Sequence, residues 1–319
     1  MKKTLLCLLA AGAMAPAAFG QLAVKQGVLS DVKAVTAPGE RYEYPRWSPD
    51  GSKISYTREG FEGLYVMSAD GAEARQLSND LGAGYQHKWS PDSREILFRS
   101  TRPVQSEEAP RLHTIKAVSL NGAVTRMSDE AYPLQPASYR MVPNGRAVFA
   151  EGVRLTAAAE AVPMDMRRAR TFNAAATANV SFICDGVKMY IIDAEGNKSV
   201  LNDAPSFNPV ISPDGKMVAF DEGDDITVMN LDGTGKKKVA EGFNPSWASN
   251  SQLVYEKTTD DGHIYTSGEL CIVDINTGAW KMITSTNNRI EMNPCVSPDG
   301  TKLVFTDFMT GQLYTAELR

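Results

Sequence analysis

Trp47-Ser48-Pro49-Asp50-Gly51 returns as Trp89-Ser90-Pro91-Asp92-Ser93, as Ile211-Ser212-Pro213-Asp214-Gly215 and as Val296-Ser297-Pro298-Asp299-Gly300. Weaker copies are Met141-Val142-Pro143-Asn144-Gly145 and Trp247-Ala248-Ser249-Asn250-Ser251. Proline pre-sets φ for the second position of a type I turn, Asp or Asn suits the next position, and Gly accepts the left-handed backbone that follows. Each copy therefore reads as a tight turn between two strands. An apolar run follows it: Ile54-Ser55-Tyr56, Ile96-Leu97-Phe98, Val148-Phe149, Val218-Ala219-Phe220, Val254-Tyr255, Val304-Phe305. A second strand comes next, as in Leu64-Tyr65-Val66-Met67 or Ile226-Thr227-Val228-Met229. A second turn ends it, at Asp70-Gly71, Asn121-Gly122, Glu195-Gly196, Asp232-Gly233 and Thr277-Gly278. A last strand, such as Arg75-Gln76-Leu77, completes the unit. A small antiparallel sheet of four strands repeated at roughly 40 residues is a propeller blade.

The expected fold is therefore all-β, a β-propeller. Between Pro143 and Pro213 the turn is missing, but Ala150 to Leu155 parallels Cys184 to Met189, and Phe172-Asn173, Phe207-Asn208 and Phe243-Asn244 recur. Counting a hidden unit there gives seven four-stranded blades, with six as the alternative; Ala157 to Thr171 fits the pattern least. The last unit ends at Arg319 after three strands. Val32 to Thr36 stands before Trp47 as Ala74 to Ser78 stands before Trp89, so an N-terminal strand is expected to join the last blade and close the ring, hiding sheet edges.

The first twenty residues differ from the rest. Lys2 and Lys3 precede the apolar run Leu5 to Ala18, and Ala18-Phe19-Gly20 offers small residues for cleavage before Gln21. This reads as a secretory leader over 1–20, with 21–319 a single propeller domain. No later run is long enough for a membrane-spanning helix, so no membrane insertion is expected.

The composition, 43% hydrophobic and 22% charged, suits a soluble domain with a real core. Loss of Lys2 and Lys3 with the leader takes the net charge from −5 to −7. An acidic chain without a basic run argues against nucleic acid as a partner. The mature chain keeps Cys184, Cys271 and Cys295, which read as small strand residues; a single Cys271–Cys295 bridge is the alternative.

The spacing Pro45 to Gly51, an apolar strand, then Leu64 to Gly71 resembles the WD40-like (PD40) repeat of the TolB propeller family. The resemblance runs through nearly the whole mature chain. It implies the propeller fold, and a family that includes periplasmic scaffolds, propeller domains of serine peptidases and pectic-oligosaccharide lyases. TolB itself carries an α/β domain before its propeller, whereas here only residues 21–46 lie between leader and first repeat. A TolB orthologue is therefore not expected. The peptidases carry a hydrolase domain with G-x-S-x-G, and that motif is missing from this sequence.

In such a blade the Ser-Pro-Asp-Gly and Asp-Gly turns share one face, and the longer connections share the other, where function usually lies. Counting back from each turn places Tyr44, Gln86, Ser138, Asn173, Asn208, Asn244 and Asn293 at the start of each innermost strand, around a channel mouth. Their amides and hydroxyls suit hydrogen bonds to a bound peptide or sugar; the competing reading is that Asn before Pro caps a turn. Phe61, Arg102, Arg111, His263, Tyr265 and Phe308 come from connections that would form the rim, and aromatics and Arg dominate interface energetics. The three histidines of the mature chain, His87, His113 and His263, show no metal-ligand spacing. Asp221-Glu222-Gly223-Asp224-Asp225 reads as a solvated hairpin tip rather than a Ca²⁺ loop.

No catalytic motif, metal or cofactor is therefore expected. The sequence points to an exported, non-enzymatic, monomeric binding propeller of a Gram-negative periplasm or cell surface, taking a protein or a glycan of the envelope on its loop face. The alternatives are a carbohydrate-active enzyme like the oligogalacturonate lyases, and a structural envelope protein.

Overall fold

The computed structural model describes residues 29–105, 111–131, 134–135, 139–142, 146–149, 153–155, 161–163, 180–184, 186–193 and 197–319. The proposed leader, Ser138 and Asn173 lie outside them.

Blade I consists of Tyr42–Trp47, Lys53–Arg58, Glu62–Ser68 and Arg75–Leu81, hydrogen-bonded in chain order. Blade II is Lys88–Trp89, Glu95–Pro103, Arg111–Ser119 and Val124–Arg126. Among the described residues blade III has three strands, Ser181–Cys184, Met189–Ile192 and Lys198–Asn202. Blade IV is Phe207–Ile211, Met217–Glu222, Asp225–Asn230 and Lys237–Glu241. Blade V is Phe243–Trp247, Gln252–Asp260, Tyr265–Asp274 and Trp280–Met282. Blade VI is Glu291–Val296, Lys302–Asp307 and Leu313–Leu318, and its fourth strand is Leu29–Ala34, antiparallel to Leu313–Leu318.

Among the described residues there are thus six blades, not the expected seven. The described residues of the stretch assigned to the extra unit form a hairpin, Tyr139–Val142 with Arg146–Phe149, and a small sheet in which Val153–Leu155 lies between Leu134–Gln135 and Ala161–Pro163. The physical reason is strand length. These strands are two to four residues long, and so short a strand presents too little apolar surface to stand as a blade between two neighbours.

The turns behave as their chemistry dictates. Gly51, Ser93, Gly215 and Gly300 donate their backbone N–H to the carbonyls of Ser48, Ser90, Ser212 and Ser297, at 2.8–2.9 Å, and all four have φ between +60° and +72°. Each serine hydroxyl donates to the Asp two residues on, at 2.6 Å for Ser48 to Asp50 and 2.7 Å for Ser212 to Asp214. The same oxygen accepts the N–H that opens the next strand: Lys53 at 2.9 Å, Met217 at 3.0 Å, Lys302 at 2.9 Å. The motif closes the hairpin from within, and two copies are also tied to the next blade, where Ser93 Oγ accepts the Asp50 N–H at 3.1 Å and Asn250 Oδ1 accepts the Asp214 N–H at 3.0 Å.

Seams between blades form the core. Trp47, Ile54 and Tyr56 of blade I pack on Val304 and Leu313 of blade VI. Leu64 and Val66 pack on Ile96 and Phe98 across the I–II seam. Met189 meets Val218 and Phe220 at the III–IV seam. Ala219 and Val228 meet Trp247 and Tyr255 at the IV–V seam, and Val254 and Ile272 meet Leu303 and Phe305 at the V–VI seam. Consecutive residues thus serve opposite seams: Phe220 faces blade III and Ala219 faces blade V. That is why the middle strands read as unbroken apolar runs rather than as alternation.

The tryptophan of the repeat also staples seams. Trp47 Nε1 donates to the Cys295 carbonyl at 3.0 Å, Trp89 to that of Arg46 at 3.3 Å and Trp247 to that of Val210 at 3.0 Å, each on the neighbouring blade. Trp247→Phe is expected to cost about 1–3 kcal/mol for the orphaned carbonyl and lost bulk. A urea midpoint lowered at constant m would show this, and an unchanged midpoint would refute the staple.

Cys271 lies in the IV–V seam while Cys295 packs at the VI–I seam, and all three described cysteines are free, so the considered Cys271–Cys295 bridge is not made.

Candidate binding face

The tight turns at 48–52 and 69–74 lie at one end of blade I, and the connections at 59–61 and 82–87 lie at the other. The second end is the loop face. Blades II and V extend furthest there, because their middle strands are nine or ten residues long against six or seven in blade I.

The start of the innermost strand is a distinct backbone feature. Tyr44, Gln86, Asn208, Asn244 and Asn293 all have positive φ, between +50° and +54°. In blades I, IV, V and VI the pairing register shifts at these residues, between Glu43 and Arg46, Phe207 and Val210, Phe243 and Ser246, and Met292 and Cys295. Each is a β-bulge with its special residue in the left-handed region, which Asn enters most cheaply after Gly.

The bulges tie neighbouring blades together through one Asn side chain and two Asn backbone N–H groups. Asn208 Nδ2 donates to Asp221 Oδ2 and to Asn244 Oδ1, both at 2.8 Å. Asn244 donates its backbone N–H to Asp221 Oδ1 at 3.1 Å and its Nδ2 to Glu256 Oε1 at 2.8 Å. Glu256 Oε2 accepts the backbone N–H of Asn293. A polar chain therefore links blades IV, V and VI at the mouth. Its two carboxyls are 3% and 2% exposed. Burial pushes Asp221 up to about 6 and Glu256 up to about 7, against the lowering effect of the N–H donors. So Asn208, Asn244 and Asn293 share one chain of hydrogen bonds, in which the side-chain amides of Asn208 and Asn244 and the backbone N–H of Asn293 serve one another and two buried acids. The acidic run is a hairpin, as expected at Gly223-Asp224, yet its first member Asp221 belongs to the mouth.

Tyr44 occupies the same position in blade I. Burial, then the charges of Glu43 and Glu256, push its phenol up to about 12. Its ring stacks on Phe61 at 5.0 Å, and Phe61 meets Tyr85 edge-on at 5.4 Å. The Arg99 guanidinium lies 4.0 Å from the centre of the Tyr85 ring. At the V–VI seam Tyr265 meets Phe308 edge-on at 5.3 Å, and Arg41 lies 5.4 Å from the Phe308 ring. Ile264 and Met309 stand beside them, 65% and 59% exposed. The expected rim is thus two aromatic clusters. Arg102 does not join them: it is held by both Glu130 oxygens at 2.9 Å. His263 sits at the tip of the blade V hairpin, where Asp261 accepts its backbone N–H.

His87 is buried between blades I and II, with Nε2 2.9 Å from Ser55 Oγ and Nδ1 2.9 Å from the Gly84 carbonyl. Burial pushes it down to about 3, so both ring nitrogens are occupied in a neutral imidazole. His113 lies mid-strand in blade II. The three histidines belong to three different surroundings, and no group of three or more metal-ligating side chains occurs among the described residues.

Sequence reasoning missed Tyr85, Arg99, Asp221 and Glu256. A signal existed: Arg99, Asp221 and Glu256 each follow the buried aromatic of their blade, Phe98, Phe220 and Tyr255, where blades I and VI carry Thr57 and Thr306. A charge at a position flanked by core marks a group held by specific partners.

Fold and mouth together define a β-propeller with a built-up loop face. The chain is similar to the TolB-like propeller of Agrobacterium tumefaciens, at 17% identity and a TM-score of 0.53, covering 90% of this chain and 94% of that one. It is similar to the β-propeller domain of Cps50 (Swd1) from Myceliophteria thermophila, at 12% identity and 0.58, covering 90% and 100%. A gluconolactonase from Xanthomonas campestris follows at 12% and 0.53, covering 90% and 89%. These likenesses show the fold. A 56-residue stretch is 45% identical to the uncharacterized peptidase YuxL of Bacillus subtilis, spanning 17% of this chain and only 8% of the peptidase. No family model matches the chain.

Proposed function

We propose that the chain is a non-enzymatic binding propeller of the cell envelope that takes a protein partner on its loop face, across the channel mouth. The observation that carries this reading is the pair of aromatic clusters, Tyr44–Phe61–Tyr85 and Tyr265–Phe308, with Ile264 and Met309 exposed beside the second. Exposed aromatic and aliphatic side chains with Arg at their margin are the composition of interface hot spots. The opposite face presents hairpin turns whose polar groups are spent within each turn or on the turn of the next blade. Export rests on the leader read at 1–20, the likeness to TolB-like repeats favours the periplasm, and the strand Leu29–Ala34 serves as the clasp of the ring.

The test has two stages. The tagged mature chain captures a partner from native envelope, which is identified and purified. Binding to the purified partner is then measured for Tyr265→Ala, Phe308→Ala and, as a tight-turn control, Asp70→Ala. The loop-face variants are expected to weaken binding by about tenfold or more, the effect of losing one hot-spot residue, with the control unchanged. Equal effects on both faces would refute the reading. Turnover of an oligogalacturonate with added Mn²⁺ would replace it with the lyase-type alternative.

A further inference from the structure

We infer that the loop-face seam between blades I and II is a recognition site for a carboxylate carried on an acidic, partly apolar peptide segment. This deepens the reading above and rests on the loop face being where a protein docks. A cavity of about 400 Å³ opens there, lined among others by Phe61, Leu81, Arg99, Thr101 and Arg111. Its two cations lack anions. Blade II carries four cations on its long middle strands, and two are neutralised: Arg102 by Glu130 and Lys116 by Asp80 at 2.8 Å. Arg99 and Arg111 have no carboxylate partner among the described residues, and the lining contains no Asp or Glu. Arg99 Nε and Thr101 Oγ1 are buried without a hydrogen-bond partner. A buried, unmet donor is costly, and a charged donor more so.

Geometry favours a built site over a chance pair of arginines. The Arg99 guanidinium is clamped on Tyr85, which is itself wedged by Phe61 and through it by Tyr44. A fork fixed by stacking has little conformational entropy left to lose on binding. Arg111 opens the neighbouring strand at Arg111–Ser119, directly paired with the end of the strand that carries Arg99, through Pro103. Burial, and after it the nearby like charge of Arg111, lowers the basicity of Arg99, an effect that an incoming anion would relieve.

The chemistry of the lining selects the ligand. A guanidinium fork matches a carboxylate with two parallel hydrogen bonds. Phe61 and the 42% exposed Leu81 supply an apolar wall for the side chain beside it. A sugar acid fits less well, because its hydroxyls need acceptors and the lining offers no carboxylate or amide side chain. The chain as a whole carries −5, which opposes long polyanions but not a short acidic segment.

The experiment titrates the folded protein with the peptide Ac-Gly-Asp-Phe-Glu-Gly-amide and with its Asn/Gln counterpart, following the ¹⁵N signal of the Arg99 side-chain Nε–H. The acidic peptide is expected to shift that signal and to bind about tenfold more tightly than the neutral one, with the preference lost in Arg111→Gln and reduced in Arg111→Lys. Arg111 is exposed, so its variants report binding without unfolding, and thermal melts confirm the fold. Equal binding of the two peptides, or an acidic preference that survives Arg111→Gln, overturns the inference. If that happens while Tyr265→Ala still abolishes partner binding, only the carboxylate site falls. If the peptide binds as expected while loop-face variants leave the partner unaffected, the site stands and the docking reading falls.

Discussion

Glu256→Ala is expected to destabilise the protein by about 3–5 kcal/mol, the cost of breaking a buried charged network by removing one member. Glu256 accepts from Asn244 Nδ2 and from the Asn293 backbone, and it is 2% exposed. Truncation leaves two buried donors unmet on two different blades. At about 2–4 °C per kcal/mol for a domain of this size, the melting temperature should fall by about 6–20 °C. The network also makes stability depend on pH. Glu256 titrates at about 7 when folded against an ordinary 4.5, and Asp221 at about 6 against 3.8. Their protonation therefore favours the folded chain. That contribution is complete below their unfolded values and is lost as pH rises through about 6 and then about 7. Asp50, Asp214 and Asp299, held below the usual carboxylate range by their turn serines and neighbouring N–H groups, act in the opposite sense at the acid end, as does His87, which burial keeps neutral when folded and which costs stability as pH falls below its ordinary 6.5. Stability should thus be greatest near the acid side of neutrality and decline towards pH 8. Glu256→Gln, which cannot ionise, should flatten that decline. A Glu256→Gln variant whose melting temperature depends on pH just as the wild type's does would show that Glu256 is ionised throughout.

Phe220→Ala should have an effect of similar or greater size, about 3–5 kcal/mol. Phe220 is fully buried and fills the III–IV seam against Met189, Val218 and Met229. Phe220 is the largest buried side chain of this seam, so its loss opens a void that the smaller Met189, Val218 and Met229 cannot fill without moving. Phe220→Leu keeps most of the volume and should cost less than about 1.5 kcal/mol. Calorimetry of the two variants checks this. A broad or split transition in Phe220→Ala would show that blades III and IV separate from the rest before global unfolding. A loss no larger than that of the Leu variant would mean that the seam relaxes fully and that the ring is not packed as rigidly as described.

Much of this architecture is legible in the chain. The repeat of Ser-Pro-Asp-Gly foretells the hairpins, because the bonds that close that turn join residues within five positions of one another, as Ser48, Asp50 and Lys53 do. The same counting placed Asn208, Asn244 and Asn293 on one rim and Phe61, Tyr265 and Phe308 on another. It could not say what the amides do, since the partners of Asn208, Asn244 and Asn293 stand 12 to 37 residues away on other strands. It also overcounted the blades. The seventh unit rested on the rhythm of Phe172-Asn173 with Phe207-Asn208, and a spacing of two residues carries no information on how many strands pair around it.

By itself the sequence determined the turns, the strands and hence the propeller class, because these follow from local backbone preferences and from the spacing of apolar residues. Only the tertiary structure decided the number of blades, the burial of Asp221 and Glu256, and the meeting of Arg99 with Tyr85 and Arg111. Those depend on which blades become neighbours and how much water their seams exclude, and neither quantity is written in any single segment.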